Sequence, residues 1–242
     1  MYIEEYLDLA ISKIEEVKQK EVENIENTVN LIVDSIQNDG KFYVFGSGHS
    51  HMIAEEIYIR AGGLAHVKAI LPDECMLHQM PNKSTIIERI EGYSEGILEL
   101  YQLKPQDTIM VVSNSGRNPV PVEMCLFAKK IGAKVIALTS LKHSQQVTSR
   151  HSSHKKMYEI ADVVIDNCAE KGDASLYING FDTPVGPTSD VTGVAIAQAI
   201  IAGVVEKLVE NGIKPPVFKS SNLDGADEYN NYLFEKYYSS IR

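Results

Sequence analysis

The sequence predicts an α/β fold: a single domain built on a five-stranded parallel sheet with helices on both faces, a three-layer αβα sandwich. Three observations predict it. Short apolar runs recur between turns, helical stretches separate most of them, and glycine- and serine-rich segments stand where two of the runs end. At 242 residues one domain buries a full core, whereas two would be crowded.

Residues 2–37 read as one long helix. Ile3, Leu7, Ala10, Ile14 and Val17 share one phase, and Val22, Ile25, Val29, Ile32 and Ile36 share the next, with a slip at Lys18–Glu21. Asn38-Asp39-Gly40 supplies the stop. The runs Phe42–Phe45, His66–Ile70, Thr108–Val112, Lys134–Leu138 and Asp162–Ile165 read as buried strands, with helices over 51–61, 84–101 and 119–131 between them. The polar, basic stretch 139–161 is expected to cover the sheet edge or the mouth of a site. Residues 188–211 form a long apolar helix ended by Asn211-Gly212. The tail starts extended at Pro215-Pro216 and finishes in a short helix with Leu233, Phe234 and Tyr237 on one side, free to dock on its own core or a partner's. The organisation expected is an N-terminal helix over 1–38, a core domain over 39–213 and a tail over 214–242.

Composition bounds the function. Hydrophobic residues make up 44% and charged residues 23%, as in ordinary globular proteins. A formal charge of -10 opposes a nucleic-acid surface, which needs a basic stripe, so no nucleic-acid partner is expected. The start MYIEEYLDL is acidic where a signal peptide is basic, and no stretch approaches ~18 uninterrupted apolar residues. The expectation is a cytoplasmic protein without a membrane partner. Cys75, Cys125 and Cys168 are odd in number and widely spaced, which suggests buried thiols rather than a disulfide frame or a metal cluster. His49 and His51, and His151 and His154, have no acidic or cysteine partner at metal-binding spacing, so neither a metal nor a cofactor is expected.

Two loops carry the chemistry. The first strand ends in Gly46-Ser47-Gly48-His49-Ser50 and runs into a helix, which aims backbone N–H groups at one point, with the hydroxyls of Ser47 and Ser50 added. The third strand ends in Ser113-Asn114-Ser115-Gly116-Arg117-Asn118 with Pro119 opening the next helix; such small hydroxyl and amide side chains beside a glycine suit the oxygens of a phosphate monoester. No third glycine completes a dinucleotide fingerprint, and there is no nucleotide-triphosphate loop of the GxxxxGK[ST] type.

The pair GSGHS and SNSGRN resembles the SIS (sugar isomerase) domain of sugar phosphate isomerases, glutamine-dependent sugar aminotransferases and sugar-sensing transcription regulators. Gly186-Pro187-Thr188-Ser189-Asp190-Val191-Thr192 resembles the PTSxxT stretch of arabinose 5-phosphate isomerases. The similarity spans about residues 35–212, and the whole chain looks like the stand-alone bacterial proteins described as phosphosugar or phosphoheptose isomerases. The resemblance implies a flavodoxin-like SIS fold that takes a phosphorylated sugar. It implies phosphate contacts from Ser113, Ser115 and Ser50, with Asn118 where the family usually has Ser or Thr, and further contacts from Gly48, His49, Asn114, Arg117, Thr188 and Ser189. The positions where heptose phosphate isomerases carry catalytic histidine and glutamate fall on Glu56 and Arg60, which match neither. SGRxP around Arg117 also resembles N-acetylmuramic acid 6-phosphate etherases.

Aldose–ketose isomerisation through an enediol needs a base and a proton donor for the oxygen. Glu74 and His78 follow the second strand one turn apart if that loop is helical, and serve as base and acid; Glu55, on the helix after the first loop, is the other candidate. The alternatives are a non-catalytic sugar phosphate sensor and a lyase or etherase on an amino-sugar phosphate. The apolar faces of 2–37 and 190–211 exceed what one sheet buries, which predicts a homodimer or homotetramer.

Overall fold

Apolar runs become strands buried on both sides. β1 (Phe42–Gly46) sends Phe42 and Val44 into one core and Tyr43 and Phe45 into the other, as a pleated central strand must. β2 (Val67–Ile70), β3 (Thr108–Val112), β4 (Lys134–Thr139) and β5 (Val163–Asp166) complete a parallel sheet of order β2-β1-β3-β4-β5. The five-stranded parallel sheet that the sequence predicts is therefore present. The computed structural model describes residues 1–238; the tail 214–242 runs past them, so 239–242 lie outside the described residues.

The N-terminal segment is two helices, α1 (Tyr2–Lys20) and α2 (Val22–Gln37), rather than one. They part at Glu21, where the phase slips, and the reason is tertiary. Glu21 is buried and its Oε2 accepts the N–H of Asp166 at 3.2 Å and the Asn24 amide at 2.8 Å. α3 (His51–Ile57) stops short of residue 61, because Tyr58 turns extended. The expected helix over 84–101 divides into α4 (Lys83–Ile87) and α5 (Tyr93–Leu100), with Gly92 at φ 86° between them. α6 (Pro119–Ile131) begins at its proline, and the short α7 (Leu141–Ser144) follows β4.

α8 (Ser189–Glu210) is long and apolar enough to cross a membrane, which the absence of an uninterrupted apolar run had not led us to expect. It is a core helix here: Ile196, Ile200, Val204 and Leu208 join the side chains of α2, α3 and the sheet. Thus α1, α2, α3 and α8 cover one face and α5 and α6 the other. Of the apolar stripe on α1, Val17 is buried, whereas Ile3, Leu7 and Ile14 are exposed, as is Ile11.

The tail docks on its own sheet. Residues 216–218 run beside 62–65, and α9 (Ala226–Tyr238) buries Leu233 with Ala65 and Phe218. Lys68 of β2 donates to the carbonyl of Tyr237 at 2.8 Å, and the Tyr238 hydroxyl donates to the carbonyl of Val67 at 2.9 Å. The open margin of β2 is thereby covered.

Candidate functional site

β1 and β3 are neighbours with Gly46 opposite Val112, so the loops 46–50 and 113–118 leave the sheet side by side. In this strand order the chain departs from β1 in opposite directions at that place, the crevice where parallel α/β sheets collect ligands. Gly46 is required by packing: a Cβ there would lie 2.3 Å from the carbonyl oxygen of Ser50. Gly116, at φ 57°, allows the second loop to turn back over Thr139 and Ser144.

Ser47, Gly48, Ser50, Ser113, Asn114 and Ser115 are half-buried and His49 is exposed. Ser113 Oγ accepts the N–H of Gly116 at 3.2 Å, and Asn114 Oδ1 accepts the Asn167 amide at 3.1 Å. Asn118 is buried and fully engaged: its amide donates to Glu88 Oε1 at 2.7 Å and its Oδ1 accepts from Arg150 at 3.0 Å. Among the described residues, six buried side-chain polar atoms have no hydrogen-bond partner, and Ser47 Oγ, Arg117 Nε, Ser144 Oγ and Thr188 Oγ1 are four of them.

The electrostatics of the second loop are set by arginines. Burial, then the nearby guanidiniums of Arg150 and Arg89, push the pKa of Arg117 down. Three cationic side chains converge there although the chain carries a formal charge of -10. Burial raises the carboxyl pKa of Glu88 against the pull of the nearby Ser47 hydroxyl, of Arg89 and Arg150, and of the Asn118 amide. Part of the basic stretch 139–161 lies against this loop, with the N–H of Arg150 on the carbonyl of Arg117 at 2.9 Å and that of Met157 on the carbonyl of Gly116 at 3.0 Å.

The start of α8 is closed by Asp173, whose carboxylate takes the N–H groups of Thr188 and Ser189 and the Ser189 hydroxyl. Thr188 and Ser189 are therefore already engaged, apart from the Thr188 hydroxyl. Burial raises the pKa of the adjacent Asp190, and Asp173 adds to the rise, while His49 and His51 oppose it. Burial lowers the pKa of His143, with Lys171 and Arg117 adding and Asp173 opposing. On α3, His51 is buried, one ring nitrogen meeting the Gly48 carbonyl and the other 3.4 Å from Glu55 Oε1. Glu56 is tied to Arg60 and accepts the Gln198 amide at 3.1 Å, so it faces α8.

The loop after β2 is not the helical turn that would stack Glu74 on His78: it makes a single 3-10 turn at Asp73–Cys75 and then bends. Both side chains are exposed. Glu74 accepts the Tyr93 hydroxyl at 3.1 Å, and its own backbone N–H followed by that hydroxyl holds its pKa below the usual carboxylate value. Glu91, Glu123 and His151 form a cluster that could hold a metal by proximity. Its members have partners already: His151 Nδ1 meets the N–H of Ser153 at 3.1 Å and Glu123 accepts the N–H of Gly92 at 2.6 Å.

Sequence reasoning missed Glu88, Arg89, His143 and Asp173, none of which stands in a motif. Asp190 stands inside the Thr188–Thr192 stretch, but its histidine neighbours come from elsewhere in the chain. Two cavities, of about 430 and 410 Å³, open near the amino-terminal ends of the strands, away from these loops.

The SIS domain family profile matches residues 5–140. A UPF0309 protein of Halalkalibacterium halodurans is 57% identical over 224 residues, covering 93% of each chain, and one of Thermoanaerobacter pseudethanolicus is 43% identical over 242 residues, covering 98% of each. Among solved structures, the phosphoheptose isomerase of Neisseria gonorrhoeae has a TM-score of 0.55 at 18% identity, covering 85% of this chain and 97% of its own. The NanR protein of Vibrio vulnificus, complexed with ManNAc-6P, has a TM-score of 0.54 at 14% identity, covering 88% of this chain and 65% of its own. Such low identities speak for the fold alone. With the profile spanning more than half of its length and relatives aligned nearly end to end, this chain belongs to the SIS domain family.

Proposed function

We propose that the protein is a cytoplasmic enzyme that binds a phosphorylated sugar between loops 46–50 and 113–118 and interconverts its aldose and ketose forms through an enediol. The observation that carries this reading is the convergence of Arg89, Arg117 and Arg150 on the second loop of a strongly acidic chain. The phosphate would lie against Ser47, Ser50, Ser113 and Ser115, with Arg117 supplying charge-assisted bonds. A buried donor without a partner costs about 1–3 kcal/mol, and an oxyanion would satisfy Arg117 Nε. Asn118, held by Glu88 and Arg150, would act by fixing Arg150 beside the anion.

Glu55 is the base this reading favours, because it leaves the first loop on α3 with His51 at 3.4 Å to orient it. It would take the proton beside the carbonyl and return it to the neighbouring carbon. Glu74 and His78 are the competing pair, disfavoured by a loop that does not stack them and by the low pKa of Glu74. A second reading, binding without turnover, is favoured by one observation. Glu56 and Arg60, joined as an ion pair, stand where the resemblance to heptose phosphate isomerases would put catalytic residues. Either way the exposed Ile3, Leu7, Ile11 and Ile14 of α1 suit burial against a second copy in a homodimer or homotetramer.

Incubation with pentose, hexose, heptose and amino-sugar phosphates in deuterated water, followed by NMR, tests the proposal. Exchange beside the carbonyl with ketose formation supports it, and Glu55→Gln should abolish exchange while sparing binding, with Glu74→Gln unaffected. Binding without exchange selects the sensor, and lactate release from a muramic acid phosphate selects the etherase. Phosphorylated sugars that bind equally well to wild type, Ser115→Ala and Arg117→Met would sink the site.

A further inference from the structure

At the opposite end of the sheet a cavity of about 410 Å³ opens between the ends of α3 and α5 and the starts of β1, β2 and β3. Its walls include three lysines, Lys41, Lys68 and Lys104, and three tyrosines, Tyr43, Tyr58 and Tyr101. That volume lies in the range of small-molecule sites.

The charge in it is unbalanced. Lys68 is 3% exposed, and among the described residues no carboxylate pairs with it; its ammonium donates to the carbonyl of Tyr237 at 2.8 Å and lies 3.1 Å from the centre of the Tyr238 ring. Of the two aspartates at the cavity, Asp107 is held by backbone and its charge acts on Lys41 and Lys104. One oxygen accepts the N–H of Lys41 at 2.8 Å and the other that of Lys104 at 2.7 Å. With Asp39, Asp107 leaves the three lysines one formal positive charge in excess, and neither carboxylate pairs with Lys68. Tyr43 donates its hydroxyl hydrogen to the carbonyl of Tyr101 at 3.1 Å, but Tyr101 Oη accepts the N–H of Leu71 at 3.1 Å and keeps its own hydrogen to give. Gln102, also on the wall, holds φ 53°, an uncommon conformation for such a side chain and of the kind that gathers at functional sites.

We propose that this cavity is a second binding site, separate from the sugar phosphate cleft, for a compact anion carrying a carboxylate or phosphate on a body no larger than a monosaccharide. Burial, with Lys41 adding to it, pushes the Lys68 pKa down to about 7. An anion entering the cavity would raise it again, so binding takes up a proton above neutrality.

Calorimetric titration of the full chain at pH 8 with inorganic phosphate, citrate and glucose 6-phosphate, in two buffers of different ionisation enthalpy, tests this. At least one anion should bind with proton uptake. Affinity should fall at least about tenfold in Lys68→Met, as expected when a buried ion loses its counter-charge, and should survive in Ser115→Ala. Should Lys68→Met fold poorly, Lys104→Ala and Tyr58→Phe decide in its place. The proposal is overturned if none of the three anions binds Ser115→Ala, or if binding is unchanged in all three cavity variants. Neither result bears on the loops at 46–50 and 113–118, whose own failure would show in Arg117→Met and leave the cavity titration intact.

Discussion

Asp173 and Ser189 are joined twice: the aspartate accepts the serine's backbone N–H at 2.9 Å and its hydroxyl at 2.6 Å. With Thr188 N–H at 3.0 Å on the same oxygen, a carboxylate from the preceding loop does for α8 what an N-cap side chain does from within a helix. Asp173→Ala should therefore cost about 1–2 kcal/mol of unfolding free energy in urea. A change below the error of the measurement would show that the loop contributes nothing to holding α8.

His66 gives the fold a pH dependence. Burial, then Lys68 and Lys236, push its pKa down to about 4 from the ordinary value of 6.5. The folded state thus keeps the ring neutral where the unfolded chain protonates it, so stability is full above pH 6.5 and is lost as pH falls toward 4. Denaturant titrations at steps across that window should show stability rising with pH, and His66→Gln should flatten the slope. An equal slope in the variant removes His66 as the cause.

Glu16 acts in a lower window. Burial pushes its carboxyl up, but hydrogen bonds from Lys20 and Lys13 and the charges of Lys13 and Lys142 override this and hold the pKa at about 2. A depressed carboxylate stabilises the fold above its ordinary value of 4.5, and that contribution disappears as pH drops toward 2. Since Lys13 also pairs with Glu170 at 2.6 Å, the network fastens α1 to the loop beyond β5. Glu16→Gln should lower stability at pH 7 and not at pH 2, with first loss of helical signal from the N-terminal segment by hydrogen exchange.

Gly46→Ala should damage the first loop without unmaking the sheet. The new methyl would meet the carbonyl carbon of Ser50 at 2.4 Å, and backbone cannot swing aside as a side chain can. We expect a stability loss of about 1–3 kcal/mol, typical of overpacking. Affinity for a phosphorylated sugar should fall along with it. Unchanged affinity would separate the 46–50 turn from ligand binding.

The sheet was readable because each strand is covered on both sides, so Phe42–Phe45 or Thr108–Val112 shows as an unbroken apolar run bounded by turns. The breaks between helices were less so. Glu21 interrupts the N-terminal segment because it reaches Asp166, more than a hundred residues on, and only the phase slip betrayed it. The two loops could be found because glycines and serines cluster locally, whereas Arg89, His143 and Asp173 arrive from three separate connections. Helical spacing placed Glu74 over His78, but the backbone there follows a 3-10 turn and then bends, and periodicity cannot report a helix that does not form.

The covering of β2 by α9 has a consequence for biogenesis. A segment made after all five strands shelters a strand made early, so during translation the sheet's margin waits on the ribosome with its hydrogen-bonding groups bare until Phe218 and Leu233 emerge. Chains released prematurely, or cut by a protease in the 219–225 connection, would carry that bare margin into the cell, where edge-to-edge association between copies competes with folding.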